Sequence, residues 1–146
     1  MSDIPPPSAI RDVYLFVRDG DRLLLLLRSG TGYKDGEWGP PSGKVEADES
    51  YTEAAIRELA EETGIAIAPA DLHFVHAIER QSADEPSWVG MFFEVTTTAT
   101  PENREPHKHA AVEWFPIDAL PDNTVGYAVH VLTAIAAGQQ FSQWRE

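Results

Sequence analysis

Apolar positions along this chain fall into short blocks whose spacing changes from strand-like to helix-like and back. Residues 12–18 and 22–28 are two apolar runs joined by Asp19-Gly20-Asp21, a turn signal, and together they predict a β-hairpin. Residues 29–42 hold four Gly and two Pro in fourteen positions, the composition of a loop that can bring its backbone close to a ligand. A helix is predicted over 51–63, strands over 72–79, 88–97 and 112–115, and a last helix over 126–137. Strands on both sides of one central helix imply helices packed on a mixed sheet, an α/β (α+β) domain.

The central helix has marked ends. Ser50 followed by Glu53 is a capping box, and Gly64 supplies a left-handed stop. At about 100° per residue, Ala55, Ile56 and Leu59 form an apolar stripe, with Glu58, Glu61 and Glu62 clustered on a neighbouring face. A solvated charged face is the ordinary reading of such a helix. Its partners argue otherwise, because Glu58 meets Glu62 four residues on, a like-charge pair costing a few tenths of a kcal/mol, where a surface helix would place Lys or Arg. A divalent cation would reverse that sign. Glutamate oxygens suit a hard ion, and Mg²⁺ prefers a few carboxylates plus water and phosphate. Arg57 lies four residues from both Glu53 and Glu61, where its planar fork can fix a carboxylate.

Composition narrows the classes. At 146 residues and 42% hydrophobic content the chain is read as one domain, residues 11–146, after a flexible Pro-rich lead-in at 1–10 that contains Pro5-Pro6-Pro7 and lacks the pattern of a secretory signal. With no Cys, disulfides, zinc-thiolate sites and thiol nucleophiles are excluded, and a cytoplasmic location fits. No apolar run approaches membrane-spanning length, 23–27 being as long as any. The formal charge of −13 disfavours nucleic acid polymers and anionic membranes as partners. It leaves open a small phosphorylated substrate bridged to the acidic site by cations.

Gly43, Glu49, Arg57-Glu58-Leu59, Glu61-Glu62, Gly64 and Ile65 fill every fixed position of a known signature: Gly, five residues, Glu, seven residues, then Arg-Glu-apolar-any-Glu-Glu-any-Gly-apolar. This stretch resembles the box of the Nudix hydrolases, with MutT-like enzymes as the nearest type. The segments 22–28 and 38–43 also look like the strand and loop that precede the box in that family. Ser42 departs from the pattern, standing where many members have a second Gly; Ser is tolerated there if the backbone keeps a negative φ.

The resemblance implies an α/β/α sandwich with a mixed sheet between helices. It also implies attack by a cation-activated water on one phosphorus of a nucleoside diphosphate joined to a further group. Glu58, Glu61 and Glu62 would be the side-chain metal ligands, the backbone carbonyl of Gly43 would complete the site, and Glu49 would assist directly or through water. Mg²⁺ is the expected cofactor, with Mn²⁺ as a substitute. A general base is often supplied from a later loop, for which Glu105 is the first candidate and His109 the second; the bland reading makes both exposed loop residues. His107 and His109 together make weak evidence for a metal and are read as solvent-exposed.

Arg28 is a candidate phosphate contact, against an ordinary strand-end charge. Asp122 and Asn123 resemble the residues that read the base in MutT-type enzymes, although Pro-Asp-Asn is also a good turn and N-cap sequence. Trp38, beside Pro40-Pro41, is read as packing. The leading expectation is a nucleoside triphosphate pyrophosphatase, monomeric or homodimeric. Dinucleoside polyphosphates, nucleotide sugars and ADP-ribose are the alternative substrates. A catalytically silent nucleotide sensor and an acidic Ca²⁺-binding or partner-binding helix are the competing classes. The intact acidic set argues against the sensor, and the acidic helix leaves Gly43 and Arg57 unexplained.

Overall fold

The computed structural model describes residues 9–83 and 85–145. Its elements are β1 (Ala9–Asp19), β2 (Arg22–Arg28), β3 (Trp38–Gly39), β4 (Ser42–Lys44), α1 (Tyr51–Thr63), a 3₁₀ turn (Pro69–Asp71), β5 (His73–Ser82), β6 (Glu85–Thr96), β7 (His109–Pro116), α2 (Gly126–Ala136) and β8 (Phe141–Arg145). The Pro5-Pro6-Pro7 run lies outside the described residues, and β1 begins at Ala9, inside the stretch expected to be a lead-in.

The predicted hairpin forms, but only at its closed end, where Arg18 pairs with Leu23 and Asp19 with Arg22. Beyond that point the two strands part. β1 takes β4 as its antiparallel neighbour, with Asp12 opposite Lys44, Val13 opposite Gly43 and Tyr14 opposite Ser42. β2 pairs instead with β3 and with β7. On its other side β1 runs parallel to β6, and the sheet continues through β5 to β8 in the order β3-β2-β1-β6-β5-β8. The sheet is mixed, as expected. Two findings correct the expectation: the stretch 29–42 contains the short strand β3 and the first residue of β4, and residues 141–145 form a further strand.

Period-two alternation divides the core between two faces. Val13, Leu15 and Val17 of β1, with Leu24 of β2 and Val95 of β6, pack under Ala54, Ala55 and Leu59 of α1. Tyr14 and Phe16, with Leu23, Leu25, Ile78 and Phe92, face Tyr127, Ala128 and Val131 of α2. Leu24, Leu59 and Phe92 are wholly enclosed, each burial contributing about 1.5–3 kcal/mol. The outcome is an α/β/α sandwich. The buried stripe of α1 includes Ala54, with Ile56 only half-buried, and it continues one turn further through Glu62 and Thr63. Glu62 lies three residues beyond Leu59 and seven beyond Ala55, so helical geometry carries a carboxylate along the core-facing stripe.

Candidate active site

The capping box at Ser50 and Glu53 is formed on both sides, and Gly64 closes α1 with φ 75°. These ends set the rotation of the helix against β4. Gly43, held in register by Val13, lies so close to α1 that a Cβ there would sit 2.1 Å from Glu58 Cδ. The Gly43 φ is not positive, so the glycine serves this close approach: any larger residue would displace the Glu58 carboxylate. Ser42 also avoids positive φ, so the departure from the box pattern is accommodated. Its backbone N–H donates to Glu62 Oε1 at 3.3 Å. Burial, followed by the Glu58 charge, pushes the Glu62 carboxyl well above the usual carboxylate range, and burial likewise raises Glu58.

Arg57 organises the remaining acids. It donates to Glu49 at 2.6 and 2.9 Å, to Glu58 Oε1 at 2.7 Å, to Glu61 Oε2 at 3.3 Å and to the Lys44 carbonyl at 3.1 Å. The guanidinium hydrogen bonds hold Glu49 down to about 2. Glu53, a partner suggested by spacing, is engaged in the cap instead. Glu61 is half exposed and touches the cluster through Arg57.

Glu58, Glu62 and Gly43 line a cleft of about 420 Å³. Glu105 and Arg28 line it too. A register shift between Leu27 and Arg28 places Arg28 opposite His109 at the start of β7. Arg28 is engaged with the Gly-rich loop, donating to the Tyr33 carbonyl at 2.8 Å and to Thr31 Oγ1 at 3.3 Å. His109 corrects an expectation. It is 5% exposed, because β7 begins at it and turns it inward, and burial lowers its pKa to about 4. Its Nε2 stands 4.0 Å from Glu62 Oε2. His107 is exposed, as expected.

Asp122 and Asn123 are exposed and do not line the cleft; the Asn123 amide donates to the Gly36 carbonyl at 2.8 Å and so ties down the Gly-rich loop. Trp38 packs edge-on against Phe115, as expected.

The structure brings in residues that pattern reading passed over. Arg80, 4% exposed, donates to Tyr14 Oη at 2.7 Å and to Tyr33 Oη, and lies between the Trp88 and Tyr127 rings at 4.4 and 4.5 Å. Tyr14 Oη in turn donates to Asp12 Oδ2 at 3.0 Å. Burial raises the pKa of Asp12, against the pull of Tyr14 and Arg80. A signal existed for Arg80: it follows His76 and Ile78 at period two on the buried face of β5.

Among the described residues no three His, Asp or Glu side chains stand close enough together to hold a metal ion by themselves. The donors are nevertheless of one chemical kind. Glu58 and Glu62 present carboxylate oxygens into the cleft, with the Gly43 backbone pressed against Glu58. An open, all-oxygen site with few protein ligands matches a hard divalent cation that keeps waters and takes substrate phosphate.

The family model for the NUDIX domain matches residues 9–133. The chain belongs to the Nudix hydrolase family. Nudix hydrolases act on nucleoside diphosphate derivatives and generally use divalent cations. The chain is 33% identical over 113 residues to the octanoyltransferase of Myxococcus xanthus, covering 77% of this chain and 32% of that protein. It is 40% identical over 58 residues to phosphatase NudJ of Escherichia coli K12, covering 40% of this chain and 37% of that protein. The match therefore spans about a third of each of these relatives. Among solved structures, the MutT NUDIX hydrolase of Burkholderia pseudomallei superposes with TM-score 0.78 at 26% identity, covering 86% of this chain and 97% of that one. The ORF135 protein of E. coli superposes with TM-score 0.73 at 27% identity, covering 90% and 91%. Among the described residues no helix is long and apolar enough to cross a membrane.

Proposed function

We propose that this Nudix domain is a Mg²⁺-dependent pyrophosphohydrolase that cleaves a nucleoside triphosphate to the monophosphate and pyrophosphate. One observation carries the reading: two carboxylates, the buried Glu62 and the largely buried Glu58, face one cleft, and the missing side chain at Gly43 leaves Glu58 the space it occupies there. Mg²⁺, with Mn²⁺ able to replace it, would be held by Glu58, Glu61, Glu62 and the Gly43 carbonyl. A bound cation neutralises phosphoryl charge and lowers the pKa of water.

The chain's own groups do the positioning. Arg57 holds Glu49, Glu58 and Glu61 in one arrangement. Glu105, whose carboxylate stands 3.5 Å from Lys108 Nζ, lines the cleft and is the proposed acceptor of the water proton. Neutral His109, beside Glu62, is the second candidate. Arg28, Lys44, Arg80 and Lys108 are four of only eleven Lys and Arg residues, yet all line the cleft of a chain with charge −13. That concentration favours a polyanionic substrate.

The test is a turnover screen with Mg²⁺ over nucleoside triphosphates, dinucleoside polyphosphates, nucleotide sugars and ADP-ribose, with Glu58→Gln and Glu61→Gln beside it. Pyrophosphate release from triphosphates, lost in both variants at unchanged circular dichroism, is the expected result. Near-normal turnover in both variants would remove the assigned metal site.

A further inference from the structure

Opposite the acidic residues, the cleft is walled by aromatic rings, Tyr14, Tyr33, Trp88 and Tyr127, that the hydrolysis does not use. Trp88 on β6 stacks over Arg80, whose other neighbour is the Tyr127 ring. Tyr33, on the loop between β2 and β3, reaches this wall with its hydroxyl on Arg80 and its ring edge-on to Trp88 at 6.1 Å. The loop that carries Tyr33 is preorganised: Asp35 accepts from the backbone N–H groups of Thr31 and Gly32 and from Thr31 Oγ1 at 2.7 Å. Buried in the same wall, the Trp88 indole N–H has no hydrogen-bond partner among the described residues. An indole nitrogen is a donor only, and a buried one ordinarily finds an acceptor.

We propose that Tyr33 and Trp88 determine specificity for the organic half of the substrate, admitting a single planar heteroaromatic ring whose rim acceptor takes the Trp88 N–H while its face lies on Tyr33. An alkyl chain would leave that N–H unpaired. A sugar would need several polar partners, yet the Tyr14 hydroxyl of this wall is already committed, to Asp12 and to Arg80. The cleft, at about 420 Å³, lies toward the small end of the roughly 300–1,000 Å³ usual for ligand sites, which favours one ring over the two of a dinucleotide. Tyr33 must swing aside to admit the ring, which a surface loop residue 36% exposed can do.

This inference rests on the proposed hydrolase reading, and the experiment separates the two. Wild type, Trp88→Phe and Tyr33→Ala are compared in Mg²⁺ for turnover of the four common nucleoside triphosphates and of an isoprenyl diphosphate, and by isothermal titration calorimetry with the same compounds. Trp88→Phe keeps an aromatic ring on Arg80 and removes the N–H together with part of the indole surface. The expected result is a roughly ten-fold rise in KM and Kd for nucleotides in Trp88→Phe, the worth of one neutral hydrogen bond, with kcat changing less. Tyr33→Ala is expected to weaken nucleotide binding as well. Comparable kcat/KM for the isoprenyl compound, or unaltered nucleotide KM and Kd in both variants, would overturn the inference while leaving the hydrolase reading in place. Saturable nucleotide binding that weakens in Trp88→Phe, without turnover of any compound, would support the slot and defeat the hydrolase.

Discussion

Arg57 grips Glu49 with two parallel hydrogen bonds, Nε to Oε2 at 2.6 Å and Nη2 to Oε1 at 2.9 Å, leaving Nη1 for Glu58 and Glu61. The fork thus links the loop before α1 to the acidic face of the helix. A lysine would keep the charge and lose the two-pronged geometry. For Arg57→Lys the expected outcome is a 10–100-fold fall in Mg²⁺-supported turnover, in the range found when groups that orient metal ligands are removed. The half-saturating Mg²⁺ concentration should rise with it. A purely structural role would lower the thermal midpoint without shifting the Mg²⁺ dependence, and that pattern would refute the positioning role.

Gly43→Ala tests the contact between β4 and α1. The added methyl would meet Glu58 Cδ at 2.1 Å and its oxygens at 2.1 and 2.6 Å, and the neighbour able to give way is that carboxylate. Hydrolysis should fall at least ten-fold while circular dichroism stays near wild type, because the side chain displaced is the one facing the cleft. Retention of full activity would show that Glu58 does not need its observed position.

Gly90, by contrast, is a packing requirement. It sits on β6 between β1 and β5, and a Cβ there would approach Tyr14 Cε2 to 2.7 Å and Ile78 Cγ2 to 2.9 Å. Both neighbours are buried in the α2-facing core. Gly90→Ala is therefore expected to destabilise by about 1–3 kcal/mol, the usual cost of overpacking, read as a lower denaturation midpoint in urea. An unchanged midpoint would mean that Tyr14 and Ile78 yield freely.

The contrast between Glu62 and Arg80 shows how far the sequence could be read. The spacing of Glu58, Glu61 and Glu62 announced an acidic cluster, and the capping signals located the helix that carries it, because caps and periodicity are local properties. That Glu62 lies on the buried stripe was also implicit, at seven residues from Ala55, but was masked by its charge. Arg80 was hidden for another reason. Its site is assembled from β1, β5, β6, α2 and the loop carrying Tyr33, and no single segment contains that arrangement. β8 escaped notice because Phe141–Arg145 is short, its alternate residues are exposed, and it exists through parallel pairing with β5. Asn123 has base-reading chemistry in sequence, yet its position next to β3 commits it to Gly36.

His76 links stability to pH through a chain of hydrogen bonds under β8. Its ring is fully enclosed, with Nδ1 at 3.0 Å from the Gln139 carbonyl and Nε2 at 2.7 Å from Ser142 Oγ. The carbonyl can only accept, so Nδ1 carries the proton and Nε2 accepts from the Ser142 hydroxyl. His130 Nε2 meets the same oxygen at 2.9 Å and donates to it. Burial lowers the His76 pKa below its ordinary 6.5, and the nearby His130 adds to the effect. With a depressed folded value, the unfolded chain binds more protons below about pH 6.5, so this residue's contribution to stability is lost as the pH falls through that value, at up to about 1.4 kcal/mol per pH unit. Urea unfolding between pH 5 and 8 should show wild type losing stability on acidification more steeply than His76→Gln, whose amide can donate to Gln139 and accept from Ser142 without titrating. Parallel curves for the two proteins would assign the acid sensitivity to other groups.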